Sequence, residues 1–267
     1  MRLERVKDFF YFFASIGLFL VLWEAYYWIF VKNPFILSPP SKVLVTFVQL
    51  VIGDPKFAET GFFMPLDMLY SLYHYLYGFS IAVLVGFSLG LIAGWSKKVE
   101  KFLYPVIELI RPIPPIAWIP IAILLLKLTH TAAAFIIFIG AVFPILLNTM
   151  YGVSSVEKKY VEAAMTLGAT KTAILLKKVI IPASMPAFFN GLRVGSGVAW
   201  MCVVAAELFG VSQYGLGYKI QLARLYHSPD VVISYMVAIG IIGLILDTLY
   251  RGTENRLLKW RRGFVVE

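Results

Sequence analysis

Apolar residues in this chain fall into six long runs separated by short polar stretches. Each run approaches or exceeds the roughly 20 residues that a helix needs to cross the hydrocarbon core of a bilayer. The pattern places them near 9–31, 76–95, 102–126, 131–151, 185–210 and 231–250. The expected fold class is all-α: a single transmembrane domain over 1–267, built as an integral membrane bundle of six helices.

A polar segment, 154–182, separates the fourth and fifth runs. Ser154 followed three residues later by Glu157 has the spacing of a capping box, which predicts a short helix over 155–167 ended by a left-handed turn at Gly168. Thr170 is placed to cap a second helix carrying Lys171, Lys177 and Lys178. That helix should stop before Pro182, because proline has no N–H to donate. Ala163 and Ala164 keep one face of the first helix narrow enough to enter a groove on another protein, and Glu162 offers a carboxylate to a partner's donors. The helix pattern alone fits a docking element and a solvated loop helix equally well.

Between the first two runs, Pro39, Pro40 and Ser41 should end an extended entry. Val43, Leu44, Phe47, Val48 and Val51 then fit one apolar helical face, lying along the membrane surface or packed over the bundle.

Composition agrees with a membrane protein: 60% hydrophobic residues, 15% charged and a mean hydropathy of +0.81 exclude an ordinary soluble domain. The net charge of +9 has a topological origin. Sixteen of the 24 Lys and Arg residues fall in the two termini, the loop after the second run and the segment 154–182, whereas six fall in the opposite loops. Positively charged loops stay in the cytoplasm, so both termini and that segment are expected there. The same distribution argues against a nucleic-acid partner. The first apolar run is too long, and lacks the small-residue cleavage pattern, for a removed signal peptide. The single cysteine, Cys202, excludes a disulfide within the chain.

Catalytic chemistry finds no support. There is no Gly-x4-Gly-Lys-Ser/Thr loop, no Gly-x-Ser-x-Gly elbow and no His-Glu-x-x-His pattern. His74, His130 and His227 fall on separate loops or span ends, so no metal site and no catalytic residue is expected. What stands out is a set of ionisable residues within apolar runs: Glu24, Glu108, Arg111, Arg193, Glu207 and Asp247. Each costs roughly 2.5–3.5 kcal/mol at mid-membrane on insertion scales, and so should face a partner or a water-filled path. Glu108 and Arg111 are spaced to pair on one helix, as are Asp247 and Arg251, whereas Glu207 has no partner nearby in sequence. Directly after Arg111, four prolines in nine residues (Pro112, Pro114, Pro115, Pro120) must interrupt the third span. The broken backbone is either the wall of a translocation path, with Pro114 and Trp118 in it, or a kink that shapes packing. Gly86, Gly90 and Gly94, and likewise Gly191 and Gly195, recur every four residues, as close packing within one chain or in a dimer requires.

Together these residues closely resemble the permease subunit of binding-protein-dependent ABC importers. Glu162-Ala163-Ala164, then Gly168, then Ile181-Pro182 match the family's EAA signature. The stretches 111–120, 143–149, 191–200, Ala206-Glu207 and Gly215-Leu216-Gly217-Tyr218 look like the branch importing nitrate, sulfonates, taurine or bicarbonate. Leu124 to Lys127 stands where relatives often carry an aromatic–glycine pair. The resemblance implies a type I importer fold in a prokaryotic plasma or inner membrane. It implies a homodimer of permeases above two ABC ATPase subunits that carry ATP and Mg, with an external solute-binding protein and no cofactor in this chain. Carried over, Glu162, Ala163, Ala164 and Gly168 become the residues coupling to the ATPase. Arg111, Pro114, Trp118, Arg193 and Glu207 are the candidate path residues, on the ground of the buried charges and the proline break. A secondary transporter working alone and a membrane-embedded enzyme are the competing readings.

Overall fold

The computed structural model describes residues 2–258, so Lys259, Arg261 and Arg262 of the basic tail lie outside the described residues. Helix α1 (Arg2–Tyr26) runs into a π turn (Tyr27–Val31) and is followed by α2 (Pro40–Ile52) and α3 (Pro55–Ala58). A long α4 (Met64–Trp95) leads to α5 (Lys97–Ile110), a 3-10 turn (Pro115–Trp118) and α6 (Ile119–Leu126). Then come α7 (His130–Ser154), α8 (Lys158–Thr166), α9 (Thr172–Leu175), a π turn (Leu176–Ile180), α10 (Ile181–Leu208), α11 (Leu216–Leu225) and α12 (Pro229–Leu257). Five of the described helical stretches are long and apolar enough to cross a membrane, and α5 with α6 makes a sixth that bends by 84° at the proline-rich break.

The centre of the bundle is α4, α7 and α10, and glycine sets how closely they approach. A Cβ at Gly90 would sit 2.6 Å from the Leu146 carbonyl oxygen of α7, and one at Gly94 2.6 Å from that of Met150. On α10, a Cβ at Gly191 would lie 2.8 Å from Asn148 Cβ of the same α7. The two glycine faces in the sequence therefore serve packing inside one chain, in the small-residue manner of membrane helices.

Helix α1 meets α2 through Glu24. Its carboxylate accepts from Trp28 Nε1 (2.9 Å) and from the Ser41 N–H (3.1 Å) and hydroxyl (2.9 Å), so it caps the first turn of α2, where prolines leave no side-chain cap. Helix α2 packs over α12. Val43, Thr46 and Leu50 are buried, the Ser234 hydroxyl donates to the Val43 carbonyl (3.2 Å), and Asp230 takes Thr46 and Lys42, each at 3.2 Å. Of the apolar face expected, Val43 is buried and Phe47 half-buried against the bundle, whereas Leu44, Val48 and Val51 are left exposed by this chain.

Two local expectations fail for identifiable reasons. Helix α7 continues to Ser154, whose hydroxyl bonds back to the Tyr151 carbonyl (3.1 Å), so the capping box does not form and α8 starts at Lys158. The helix predicted to stop before Pro182 passes through it. The π turn at Leu176–Ile180 shifts the hydrogen-bond register, with the Ile181 N–H reaching the Leu176 carbonyl, and Pro182 falls in the first turn of α10, where a missing donor costs nothing.

Lys127, after α6, adopts φ 60 and ψ −166, a region that belongs almost entirely to glycine and costs a side chain about 1–3 kcal/mol. The Lys127→Gly variant is expected to melt a few degrees higher than the parent in a detergent thermal scan; an unchanged or lower melting temperature would contradict this.

Candidate functional site

Three places combine polar chemistry with an unusual setting. At one end of the bundle, α8 stands off the helices with no buried residue. Tyr160, Ala163 and Leu167 recur at helical spacing along it, with Leu167 89% exposed and Tyr160 52%. Glu162 and Ala163 are exposed and Ala164 is half-buried. The helix ends at Gly168, whose φ of 89 makes the left-handed turn expected; the N–H of Ala169 then closes on the Ala164 carbonyl (3.0 Å). Such an apolar outward face on a short charged helix is a surface that none of the described residues covers.

The second place is a cavity of about 680 Å³ between the proline break, α7 and α10. Arg111 and Pro115 come from the break, Phe143 and Asn148 from α7, Val194 and Val198 from α10. Asn190 donates to the Asn148 side-chain oxygen (2.8 Å), and Asn148 donates to the Pro144 carbonyl (2.8 Å). The expected Glu108–Arg111 pair is absent among the described residues, where no carboxylate pairs with Arg111; Glu108 lies beside Tyr104 on the same helix. An unpaired guanidinium thus lies in the wall of an otherwise mostly apolar cavity. Of the five path residues anticipated, Arg111 alone lines it. Pro114 is exposed beside the break, and Trp118 packs edge-on to Phe135 with its indole N–H buried and without a hydrogen-bond partner.

Arg193 is paired with a carboxylate that it shares with a second arginine. Its Nε lies 2.9 Å from Asp247 Oδ1, while Arg251 takes the other oxygen of the same carboxylate at 2.7 Å. The Asp247–Arg251 pair is the one expected; Arg193 on it, 54 residues away in sequence, is not.

Glu207 forms the third place, at the far end of the bundle from α8. It is fully buried. Its Oε2 accepts from the Ser71 hydroxyl (2.8 Å) and the Gly217 N–H (2.9 Å), and its Oε1 lies 2.8 Å from His74 Nδ1. His74 Nε2 is 2.7 Å from His130 Nδ1, and the Ser71 hydroxyl accepts from the Leu216 N–H (2.9 Å). Two histidines assigned to loops or span ends are thus one cluster, with His74 inside α4. The cluster satisfies the first N–H groups of α11 and seats that helix on α4. Gly215, at φ 109, leaves room for it: a Cβ there would fall within 2.5 Å of the Glu207 carboxylate oxygens. Asp67, one turn earlier on α4, accepts from the buried Tyr235 hydroxyl of α12 (2.7 Å). Glu207 does not line the cavity. No group of metal-binding side chains occurs among the described residues.

Residues 82–259 match the family described as the binding-protein-dependent transport system inner membrane component. The chain belongs to that permease family. An ABC transporter permease protein of Methanocaldococcus jannaschii is 42% identical over 92% of this chain and 90% of its own length. The taurine transport system permease of Escherichia coli is 31% identical over 92% of this chain and 88% of its own. Among solved structures, a chain of the MetNI methionine ABC transporter, in inward-facing conformations, superposes with a TM-score of 0.56. It covers 72% of this chain and 95% of that one at 18% identity, so it speaks for the type I importer fold alone. This permease is thus a multi-pass membrane component of a binding-protein-dependent ABC importer, a transport subunit rather than an enzyme.

The hydrogen-bond partners of Glu207 and the Asn148–Asn190 pair were not read from the sequence. The isolated buried carboxylate was itself a signal that a partner must exist, and Asn148 lay within one of the stretches that carry the resemblance.

Proposed function

We propose that this permease forms the path for a small anionic solute, of the kind its relatives' names describe, and is driven through α8 by a separate ATPase. The single observation that carries the reading is α8: a hinged helix with no buried residue, with Tyr160 and Leu167 turned outward and Glu162 exposed beside them. Two ATPase subunits, holding ATP and Mg, would receive this helix from each of two permease copies. An external binding protein would deliver the solute at the α11 end. In this arrangement the α8 end and both termini face the cytoplasm, as the excess of Lys and Arg there supports. A ligand bound elsewhere shifts this chain only by interacting differently with two of its states, so nucleotide-driven movement of α8 is the step that opens one end of the path and closes the other.

Copurification tests it. Glu162→Ala and Gly168→Pro are expected to weaken recovery of the ATPase with the tagged permease while leaving the permease itself inserted and folded; undiminished recovery with both would refute the docking role.

The unpaired Arg111 supports an anion path. A charge-assisted contact contributes about 1.5–3 kcal/mol, so Arg111→Ala should lower uptake of an anionic solute roughly tenfold or more. Expression and ATPase binding should stay at parental level. Unchanged uptake kinetics would leave the arginine a structural role only.

A further inference from the structure

We infer that the π turn at Leu176–Ile180 is the joint through which α8 works on α10: it holds one surplus residue at rest and sheds it under load, rotating α9 against α10 by about 100°. This rests on the reading that α8 meets the ATPase.

Helix α10 is the larger part of one continuous helix, 172–208, and α8 packs against the π turn within it. The half-buried residues of α8, Val161 and Ala164, are three apart and so share one face of it. A push taken up by α8 therefore bears on this turn by contact, and also pulls on it along the chain through Gly168 and α9.

Burial shows the surplus residue at work. Exposed residues recur across the turn in pairs five apart, 172–173, 177–178 and 182–183, and the buried Leu175 and Ile180 are five apart too. Five residues make about 500° of α helix, which would set those two side chains roughly 140° apart and turn one of them out of the core. The π register keeps both inward. Pro182 favours the same register: were the turn to wind as α helix, the proline ring would oppose the Lys178 carbonyl and give it no hydrogen bond.

The surplus residue also has somewhere to go. Helix α9 is four residues long, and Gly168, Ala169 and Thr170 before it are not helical. Shedding one residue into that stretch restores the α register, turning α9 by about 100° and moving it about 1.5 Å along the axis. An i→i+5 turn is rare because it is itself unfavourable, so its cost stands against that of Pro182 and the buried pair. Opposed costs of this kind make an element with two discrete arrangements.

The test uses the full-length permease with its ATPase in lipid nanodiscs, spin-labelled at Ala173→Cys and Ala183→Cys; both positions are exposed and the native Cys202 is buried. Dipolar EPR should show the label spacing shift by about 5 Å or more between the nucleotide-free and ATP–vanadate-trapped states, since about 100° at a helix radius of about 5–6 Å carries a side chain that far. Deleting Lys178 removes the surplus residue, and should leave the ATPase bound and hydrolysing ATP with one spacing in both states. Pro182→Ala, which keeps the chain length, should move the nucleotide-free spacing toward the trapped one. A spacing that trapping leaves unchanged in the parent, or still shifts in the deletion, with the ATPase bound, would overturn the joint and leave docking at α8 standing. Failure of the parent to retain the ATPase would overturn both.

Discussion

Glu207→Ala is expected to destabilise the permease by about 3–5 kcal/mol, the scale for removing one partner from a buried charged network. The carboxylate is the acceptor for the Ser71 hydroxyl and the Gly217 N–H, and it faces His74 Nδ1. Its removal strands all three in a fully buried position and unseats the start of α11, whose first N–H groups have no side-chain cap of their own. Glu207→Gln should cost less, about 1–2 kcal/mol. The amide oxygen can keep accepting from Ser71 and Gly217, and the His74 ring can change tautomer to accept from the amide N–H. Thermal melts of both variants in one detergent decide it. Alanine no worse than glutamine would show that the cluster does not hold α11 in place.

Leu167→Glu is expected to weaken association with the ATPase roughly thirtyfold, since a central apolar anchor at an interface contributes about 2 kcal/mol or more. The side chain is 89% exposed and touches nothing that the fold needs, so the permease should melt as the parent does. Surface-plasmon titration of the purified ATPase onto nanodisc-held permease reads the change directly. A parental dissociation constant would mean that the outward face of α8 meets no ATPase.

Both variants bear on how the chain encodes its fold. The spans, the break at the prolines and the turn at Gly168 follow from local rules: apolar length, missing N–H groups and a left-handed backbone. They were legible because each depends on residues close in sequence. The start of α4 was not. Asp67, Ser71 and His74 make its first turns look like a loop, and only pairing with Tyr235, Glu207 and His130 from distant helices lets those polar side chains be buried. Arg193 shows the same limit, since its partner Asp247 lies on another helix. The passage of the helix through Pro182 is a subtler case. Proline was expected to end the helix, but a π turn just before it supplies the change of register, and no residue pattern announces such a turn. The segment around Gly168 differs in kind: Glu162, Ala163 and Leu167 are exposed, so this chain's core does not dictate their spacing.

Reconstitution of the permease with its ATPase and binding protein in proteoliposomes tests the central claim most directly. Solute should accumulate only when ATP and binding protein are both supplied, and Gly168→Pro should abolish accumulation while the permease itself remains inserted and folded. Accumulation driven by an imposed ion gradient, without ATP and undisturbed by Gly168→Pro, would contradict it.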